Sequence, residues 1–247
     1  MLLKYERNIK SFLIINTSPF CYWLSNTVFS IFKDSNLLEN CLFVKNGMST
    51  TDNNRFLRLW YEINNTRIGL NCSNRCEALE THKKWFPYNK GGDFRKWYGN
   101  VFFVCDWEND GKEIRKCAEN ASGGRIVSEE YYFNESISWS KISSGKFSLR
   151  LYRKGFLFDV AGPSIFGNLD EQLYVLGLGN SCLKRLFIES IAPTLNYERG
   201  QVSRFPIVEC GKYDQQIINY VKENVGESQR DWDSFETSWD FKKHPLI

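Results

Sequence analysis

The sequence predicts a mixed α+β fold, strand-rich in the centre and flanked by helices. Short alternating apolar runs, punctuated by Gly and Asn, fill the stretch from about Phe56 to Ile165. Apolar residues recur at helical spacing across 17–39 and again from Asp170 to Ile191. A further amphipathic pattern covers Lys212–Asn224. These patterns divide the chain into an N-terminal junction segment with a helix (1–39), a strand-rich domain (40–207) and a helical extension (208–247).

The first helix is expected over 17–39. Ser18-Pro19 supplies a cap and a first-turn proline, and Tyr22, Trp23, Val28, Phe29 and Phe32 follow. Cys41–Val44 reads as a short strand entering the turn Lys45-Asn46-Gly47. Further strands are expected at 99–105, 131–133, 137–139, 147–152 and 156–160. Trp107–Cys117 is charged enough to be either a helix or a loop, and 119–125 reads as an exposed turn. Pro193 closes the Asp170–Ile191 helix. Phe205–Val208 reads as a short strand or an extended link.

Composition bounds the function. With 247 residues and 42% apolar content the chain can bury a sizeable core. Aromatic residues at 16% exceed what packing alone ordinarily needs, so stacking or interface roles are open for some of them. The formal charge is only +3, but it is uneven: 82–160 carries 14 Lys/Arg against 10 Asp/Glu, while 206–247 carries 5 against 8. The centre is therefore the expected polyanion-facing part. Eight cysteines and several Asn-x-Ser/Thr sequons accompany an N-terminus without the apolar stretch of a signal peptide. Free thiols in the cytoplasm are the expectation. No run of about 18 apolar residues is present to cross a membrane.

Catalysis is not expected from this chain. An amino-methylating enzyme needs a glycine-rich loop for S-adenosylmethionine and a Pro-Pro-containing turn for the flipped base, and the sequence contains no Pro-Pro dipeptide. Leu176-Gly-Leu-Gly-Asn180 reads as a loosened helix rather than a cofactor loop. Cys72 and Cys76 form the tightest cysteine pair, and His82 and His244 are the two histidines, too few soft ligands at close spacing for structural zinc. Glu129-Glu130 and Asp231/Asp233 read as solvent-facing charges.

Two stretches have the character of a nucleic-acid surface. Lys84-Trp-Phe-Pro-Tyr-Asn-Lys-Gly-Gly-Asp-Phe-Arg-Lys-Trp-Tyr-Gly-Asn100 interleaves aromatics with Lys84, Lys90, Arg95 and Lys96. Gly91-Gly92 would let the backbone approach a phosphate, and Asn89 could read a base edge. The alternative is a Gly-Gly hairpin with its aromatics in the core. Ser138-Trp-Ser-Lys-Ile-Ser-Ser-Gly-Lys146 offers Lys141, Ser143, Ser144 and Lys146, a loop suited to a sugar–phosphate backbone, or else a plain hairpin.

Longer blocks carry a family resemblance. Gly47-Met-Ser-Thr-Thr-Asp-Asn-Asn-Arg-Phe-Leu-Arg-Leu-Trp60 resembles a Gly-x-x-Thr-x-x-Asn-x-Arg-Phe-x-Arg-x-Trp motif of the BREX-type (phage-growth-limitation) adenine-specific methyltransferases. The Lys84–Gly92 block, Trp107–Arg115, Ser138–Gly145, Phe158–Gly162, Pro193–Gln201 and Asp231–Phe241 resemble the same family, in order, from about Ser18 to Leu246. Asn196–Ile207, followed by a helix containing Gln215-Gln216, is also similar to the end of a recognition domain in type I specificity subunits.

The resemblance implies a DNA target-recognition region that serves site-specific N6-adenine methylation in phage defence. It further implies that the catalytic domain, with its S-adenosylmethionine, lies outside this chain. Double-stranded DNA is the implied ligand, and a catalytic domain or other defence subunits the implied partners. The residues expected to touch DNA are Asn89, Lys90, Gly91, Gly92, Arg95, Lys96, Lys141, Ser143, Ser144, Lys146, Asn196 and Gln201. The competing reading is a non-catalytic interaction protein that docks through its acidic, Trp-rich tail.

Overall fold

The computed structural model describes residues 8–15, 20–143, 146–244 and 246. Among them, ten short strands form three sheets. β1 (Asn36–Leu37) pairs antiparallel with β10 (Pro206–Ile207). One four-stranded antiparallel sheet runs in the order β2 (Phe43–Lys45), β9 (Ser164–Phe166), β6 (Ser136–Ser138), β7 (Arg150–Tyr152). The other runs β3 (Leu57–Leu59), β5 (Phe103–Asp106), β4 (Trp85–Asn89), β8 (Leu157–Phe158). Its β4–β8 pair is parallel and its other pairs are antiparallel. The helices of eight residues or more are α1 (Asn26–Asp34), α2 (Glu108–Asn120), α3 (Leu169–Asn180), α4 (Lys184–Ile191) and α5 (Asp214–Asp233). The mixture of helix and sheet is as the sequence predicts.

Several elements differ from expectation, each for a local reason. The N-terminal helix starts at Asn26, where the Ser25 hydroxyl accepts the Val28 amide, and it ends before the chain turns into β1. The expected cap at Ser18-Pro19 lies outside the described residues. Cys41 closes a helical turn, so β2 begins at Phe43. Tyr131–Phe133 is not a strand: a 3-10 turn over Glu129–Tyr131 delivers Tyr132 and Phe133 into the core. The 170–191 helix is two helices. The buried Asn180 side chain bonds both the Leu149 amide (3.0 Å) and its carbonyl (2.9 Å), which pins the end of α3 to the strand region below it. Trp107–Cys117 does become a helix, entered through left-handed Asn109, Asp110 and Gly111.

One core runs through residues of all three segments, from Phe12 and Phe29 through Ile137, Trp139 and Ile165 to Leu176, Ile191 and Val225. α3 packs against α5 with Gly177 as the contact point, where a Cβ would lie 2.8 Å from a Val221 methyl. A second core, with Phe86, Cys105, Trp107, Ile114 and Phe158, fills the space between the β3–β8 sheet and α2.

The acidic, Trp-rich tail is spent on the chain itself. Trp232 is 3% exposed and packs with Tyr98, Val101, Tyr152 and Phe156. The Trp60 indole donates to the Thr237 carbonyl (2.8 Å), and Arg153 pairs with Asp240 (2.7 Å). Trp239 meets the rings of Trp60 and Phe156. Trp232 and Trp239 are thus occupied within the chain, whereas Phe235 is 51% exposed. Trp239→Ala is expected to lower stability by about 1–2 kcal/mol through those two ring contacts, measured by urea unfolding. An unchanged midpoint would return the tail to the role of a free docking segment.

Candidate nucleic-acid interface

Asn89 ends β4 with a side chain that is 0% exposed. Its amide nitrogen donates to the Ser138 hydroxyl (2.7 Å), the Gly162 carbonyl (3.2 Å) and the Ser164 hydroxyl (3.4 Å). Its oxygen accepts the Gly91 amide at 3.0 Å. Asn89 thus staples one four-stranded sheet to the other and has no polar atom left to reach a base. Lys90, beside it, pairs with the nearly buried Asp159 (2.6 Å) and reaches Asn53 (3.1 Å). Gly91 is left-handed (φ +75°) and a Cβ there would lie 2.7 Å from the Ala161 carbonyl oxygen. The turn and the close approach explain this glycine without a phosphate. Gly92 is exposed, and its carbonyl accepts from Ser140 (2.6 Å).

Lys141, Ser143, Asn196 and Gln201 are brought together around Glu198. The loop after β6 bonds back to 195–197 through Ser143–Leu195 and Tyr197–Lys141 backbone pairs. Lys141 pairs with Glu198 (3.1 Å), Asn196 donates to it (2.9 Å), and Gln201 accepts the Glu198 amide (3.1 Å). Burial pushes the Glu198 carboxyl up, but the bonds from Lys141 and Asn196 and the Lys141 charge outweigh it and hold the group below the usual carboxylate range. Ser144 lies outside the described residues.

Arg95 lies over the Trp232 ring and pairs with Asp231 at 3.4 Å. Lys96 donates to the Asn180 carbonyl (2.8 Å), and Lys146 is exposed. Sequence reading missed their neighbour Lys184, which opens α4 and donates to the Phe147 carbonyl. Burial first, then the Lys96 and Lys146 charges, push Lys184 down to about 8. A depressed lysine destabilises the fold below about pH 8, and the penalty fades as pH rises toward its unfolded value of 10.5. Lys184→Met should therefore gain most on wild type near pH 7 and progressively less by pH 10, followed by urea unfolding at each pH. A stability difference independent of pH would contradict this placement of the charge.

A cleft of about 560 Å³ opens between β2, the 123–128 turn and the start of the 199–202 helical turn. Lys45, Arg125 and Arg199 line it, joined by Asn46, Ser49 and Ser128, and among the described residues no carboxylate does. Its floor is tied by backbone bonds from Met48 to Phe158 (3.0 Å) and from Ser49 to Arg125 (2.8 Å). Gly47 permits that approach, since a Cβ there would lie 2.0 Å from the Phe158 carbonyl oxygen. Lys45 sits against the Tyr131 ring, Arg199 reaches the Val44 carbonyl, and the Arg125 side chain is exposed. Each cation adjoins a turn signal in the sequence, Lys45-Asn-Gly47 and Gly123-Gly-Arg125 among them, yet nothing local marks the three as neighbours. The arrangement suits an anion with polar edges, since cations face charge while amide and hydroxyl groups supply hydrogen bonds.

No cofactor loop forms at Leu176–Asn180. A Cβ on Gly177 would meet Val221 (2.8 Å) and one on Gly179 would meet Leu149 (2.4 Å), so both glycines serve helix packing and do not fit S-adenosylmethionine. Glu129, read as a solvent-facing charge, is instead held by Arg75 and Arg115, each at 2.7 Å. All eight cysteines are free thiols, and no helix among the described residues is long and apolar enough to cross a membrane.

No family model matches the chain. Its relationship is instead to one region of the adenine-specific methyltransferases. It is 37% identical over 249 residues to the adenine-specific methyltransferase PglX of Lacticaseibacillus casei (strain Zhang), covering 98% of this chain and 20% of that protein. It is 35% identical over 197 residues to the adenine-specific methyltransferase BrxX of Escherichia coli O9:H4 (strain HS), covering 78% of this chain and 15% of that protein. The chain thus spans about a fifth or less of the length of these relatives. Among solved structures it is similar to the type IIG restriction endonuclease BpuSI, with a TM-score of 0.41 and 12% identity over 76% of this chain and 26% of that one. The resemblance drawn from the sequence blocks is therefore shown as kinship with a part of PglX and BrxX.

Proposed function

We propose that this chain binds duplex DNA and supplies target recognition for N6-adenine methylation in a BREX-type phage-defence system. The base-flipping and methyl-transfer chemistry, with S-adenosylmethionine, would belong to a catalytic domain outside the chain. The observation that carries the reading is the cleft of Lys45, Arg125 and Arg199. It has the charge sign, the polar groups and the openness that phosphate contact demands. The partial kinship with adenine-specific methyltransferases adds support. Carboxylates such as Asp110 and Glu129 act as counter-ions to the chain's own cations. The free thiols accord with a cytoplasmic setting.

Of the residues expected to touch DNA, Lys96, Lys141, Lys146 and Gly92 are the ones this reading retains in addition to the cleft, while Ser143 is buried. Asn89, Lys90, Gly91 and Arg95 instead shape the scaffold, and Asn196 and Gln201 position the loop around Glu198.

Binding of the purified chain to a mixed-sequence duplex, titrated from about 50 to about 200 mM salt, tests the reading. The expected result is binding whose logarithm falls linearly with the logarithm of salt, with a slope of at least about −3 for three or more phosphate contacts. A chain shown to be folded by its cooperative melt, yet without salt-sensitive binding, sinks the proposal.

A further inference from the structure

Two cations are buried beneath the loop 92–97 with no ion pair to either among the described residues. Arg150 on β7 is 0% exposed, donates to the Ser140 hydroxyl (2.9 Å) and the Arg95 carbonyl (3.3 Å), and leaves its Nε without an acceptor. Lys184 is 8% exposed. One of its three N–H groups goes to the Phe147 carbonyl, and its ammonium lies 5.8 Å from the Phe94 ring. Lys96 spends one N–H on the Asn180 carbonyl and has two more, and Lys146 is an exposed residue. Phe94 itself is 43% exposed, a flat apolar face beside the cations.

Taking charge out of water without a counter-ion is costly, and crowding like charges adds to the cost. An incoming anion would offset both, which is how a surface becomes a site rather than a solvated face. α4 adds to the same field, since Leu183 offers no capping side chain and the first turn holds no acid.

We infer that Lys96, Lys146 and Lys184, with the Phe94 ring beside them, form a phosphate-binding site whose ligand is a phosphodiester of the nucleic-acid backbone. The identity of that ligand rests on the DNA-binding reading above; the phosphate site itself does not. Lys96 and Lys146 contact the phosphate, Lys184 and Arg150 hold positive potential behind it, and Phe94 offers a sugar or base an apolar surface. The site also weakens with alkali. The charges acting on Lys184 are Lys96, from the 92–97 loop, and Lys146, from the segment before β7. On its own helix, Arg185 is neutralised by Glu189 (2.8 Å), and the loop's carboxylate, Asp93, is exposed. With Lys184 pushed down to about 8, the site loses a positive charge between pH 7 and 9.

The test uses the whole chain, a fluorescein-labelled duplex, and inorganic phosphate as a separate probe. Lys146→Gln and Lys184→Gln are each expected to weaken duplex binding several-fold and to reduce the salt slope by about 1. Wild-type affinity should drop further between pH 7 and 9 than that of Lys184→Gln. If both variants melt cooperatively and bind the duplex with wild-type affinity and slope, the site is overturned while the DNA reading stands. Should Lys184→Gln fail to fold, the exposed Lys146→Gln decides alone. If wild type does not bind the duplex, the DNA reading fails and inorganic phosphate judges the site. A rise in melting temperature that Lys146→Gln loses supports it as a phosphate site, and no rise overturns it.

Discussion

Asn89→Ala is expected to lower the stability of the chain by about 3–5 kcal/mol and to leave the duplex affinity of the folded fraction at the wild-type level. The substitution strands the buried Gly91 amide, removes one of the two donors to the Gly162 carbonyl, takes the Asn89 N–H from the Ser138 and Ser164 hydroxyls, and leaves a cavity between the two sheets. Each buried group left without a partner costs about 1–3 kcal/mol, less where a serine hydroxyl can rotate to another acceptor. Both have one, since Ser138 already donates to the Pro163 carbonyl (2.8 Å) and Ser164 to the Gly162 carbonyl (3.2 Å), which holds the total below the sum of four losses. Urea unfolding measures the loss, and anisotropy on the surviving folded chain measures affinity. Stability within about 0.5 kcal/mol of wild type, together with weaker DNA binding, would reinstate Asn89 as a base-reading residue.

The contrast between Asn89 as a reader and Asn89 as a staple shows what the sequence could convey. An Asn among aromatics and lysines has the same composition whether the segment is a binding loop or a buried strand. β4 is buried at all five positions because β5 and β8 flank it and both faces are covered, so the alternation that would mark a strand is absent. Pro87 deepens the disguise. By contrast, strand character was visible around β5, β6 and β7, although β5 and β7 proved shorter than their apolar runs and β6 sat one residue earlier. The break between α3 and α4 follows Gly177 and Gly179, which the sequence offered only as a loosened helix. It depends on Asn180 reaching Leu149, a contact across 31 residues. The basic cleft was illegible for the same reason, since Lys45, Arg125 and Arg199 become neighbours only through the Met48–Phe158 and Ser49–Arg125 backbone pairs. Family kinship was legible because it rests on ordered blocks of rare residues, which need no folding to be seen.

The second large effect falls on that cleft. Arg125→Glu combined with Arg199→Glu is expected to weaken duplex binding on the order of 100-fold or more at about 50 mM salt and to reduce the salt slope by about 2. Two cations are removed and two anions put in their place, so the cleft, left with Lys45 alone, changes sign. Stability should hardly move. Both side chains are exposed, Arg125 makes no ion pair among the described residues, and Arg199 reaches only a carbonyl at 3.5 Å. Substitutions at such positions ordinarily shift stability by no more than about 0.5 kcal/mol. Net charge alone also weakens DNA binding, so the comparison needs a chain altered equally in charge elsewhere. Arg230→Glu with Lys222→Glu serves, because both residues lie on α5, are already paired, with Glu227 and Asp170, and line neither the cleft nor the Lys184 site. If the control loses as much affinity as the cleft variant, the duplex is held by the overall field of the protein and the cleft has no special part. If the control keeps most of its affinity and slope while the cleft variant loses both, the phosphate contacts lie where Lys45, Arg125 and Arg199 converge.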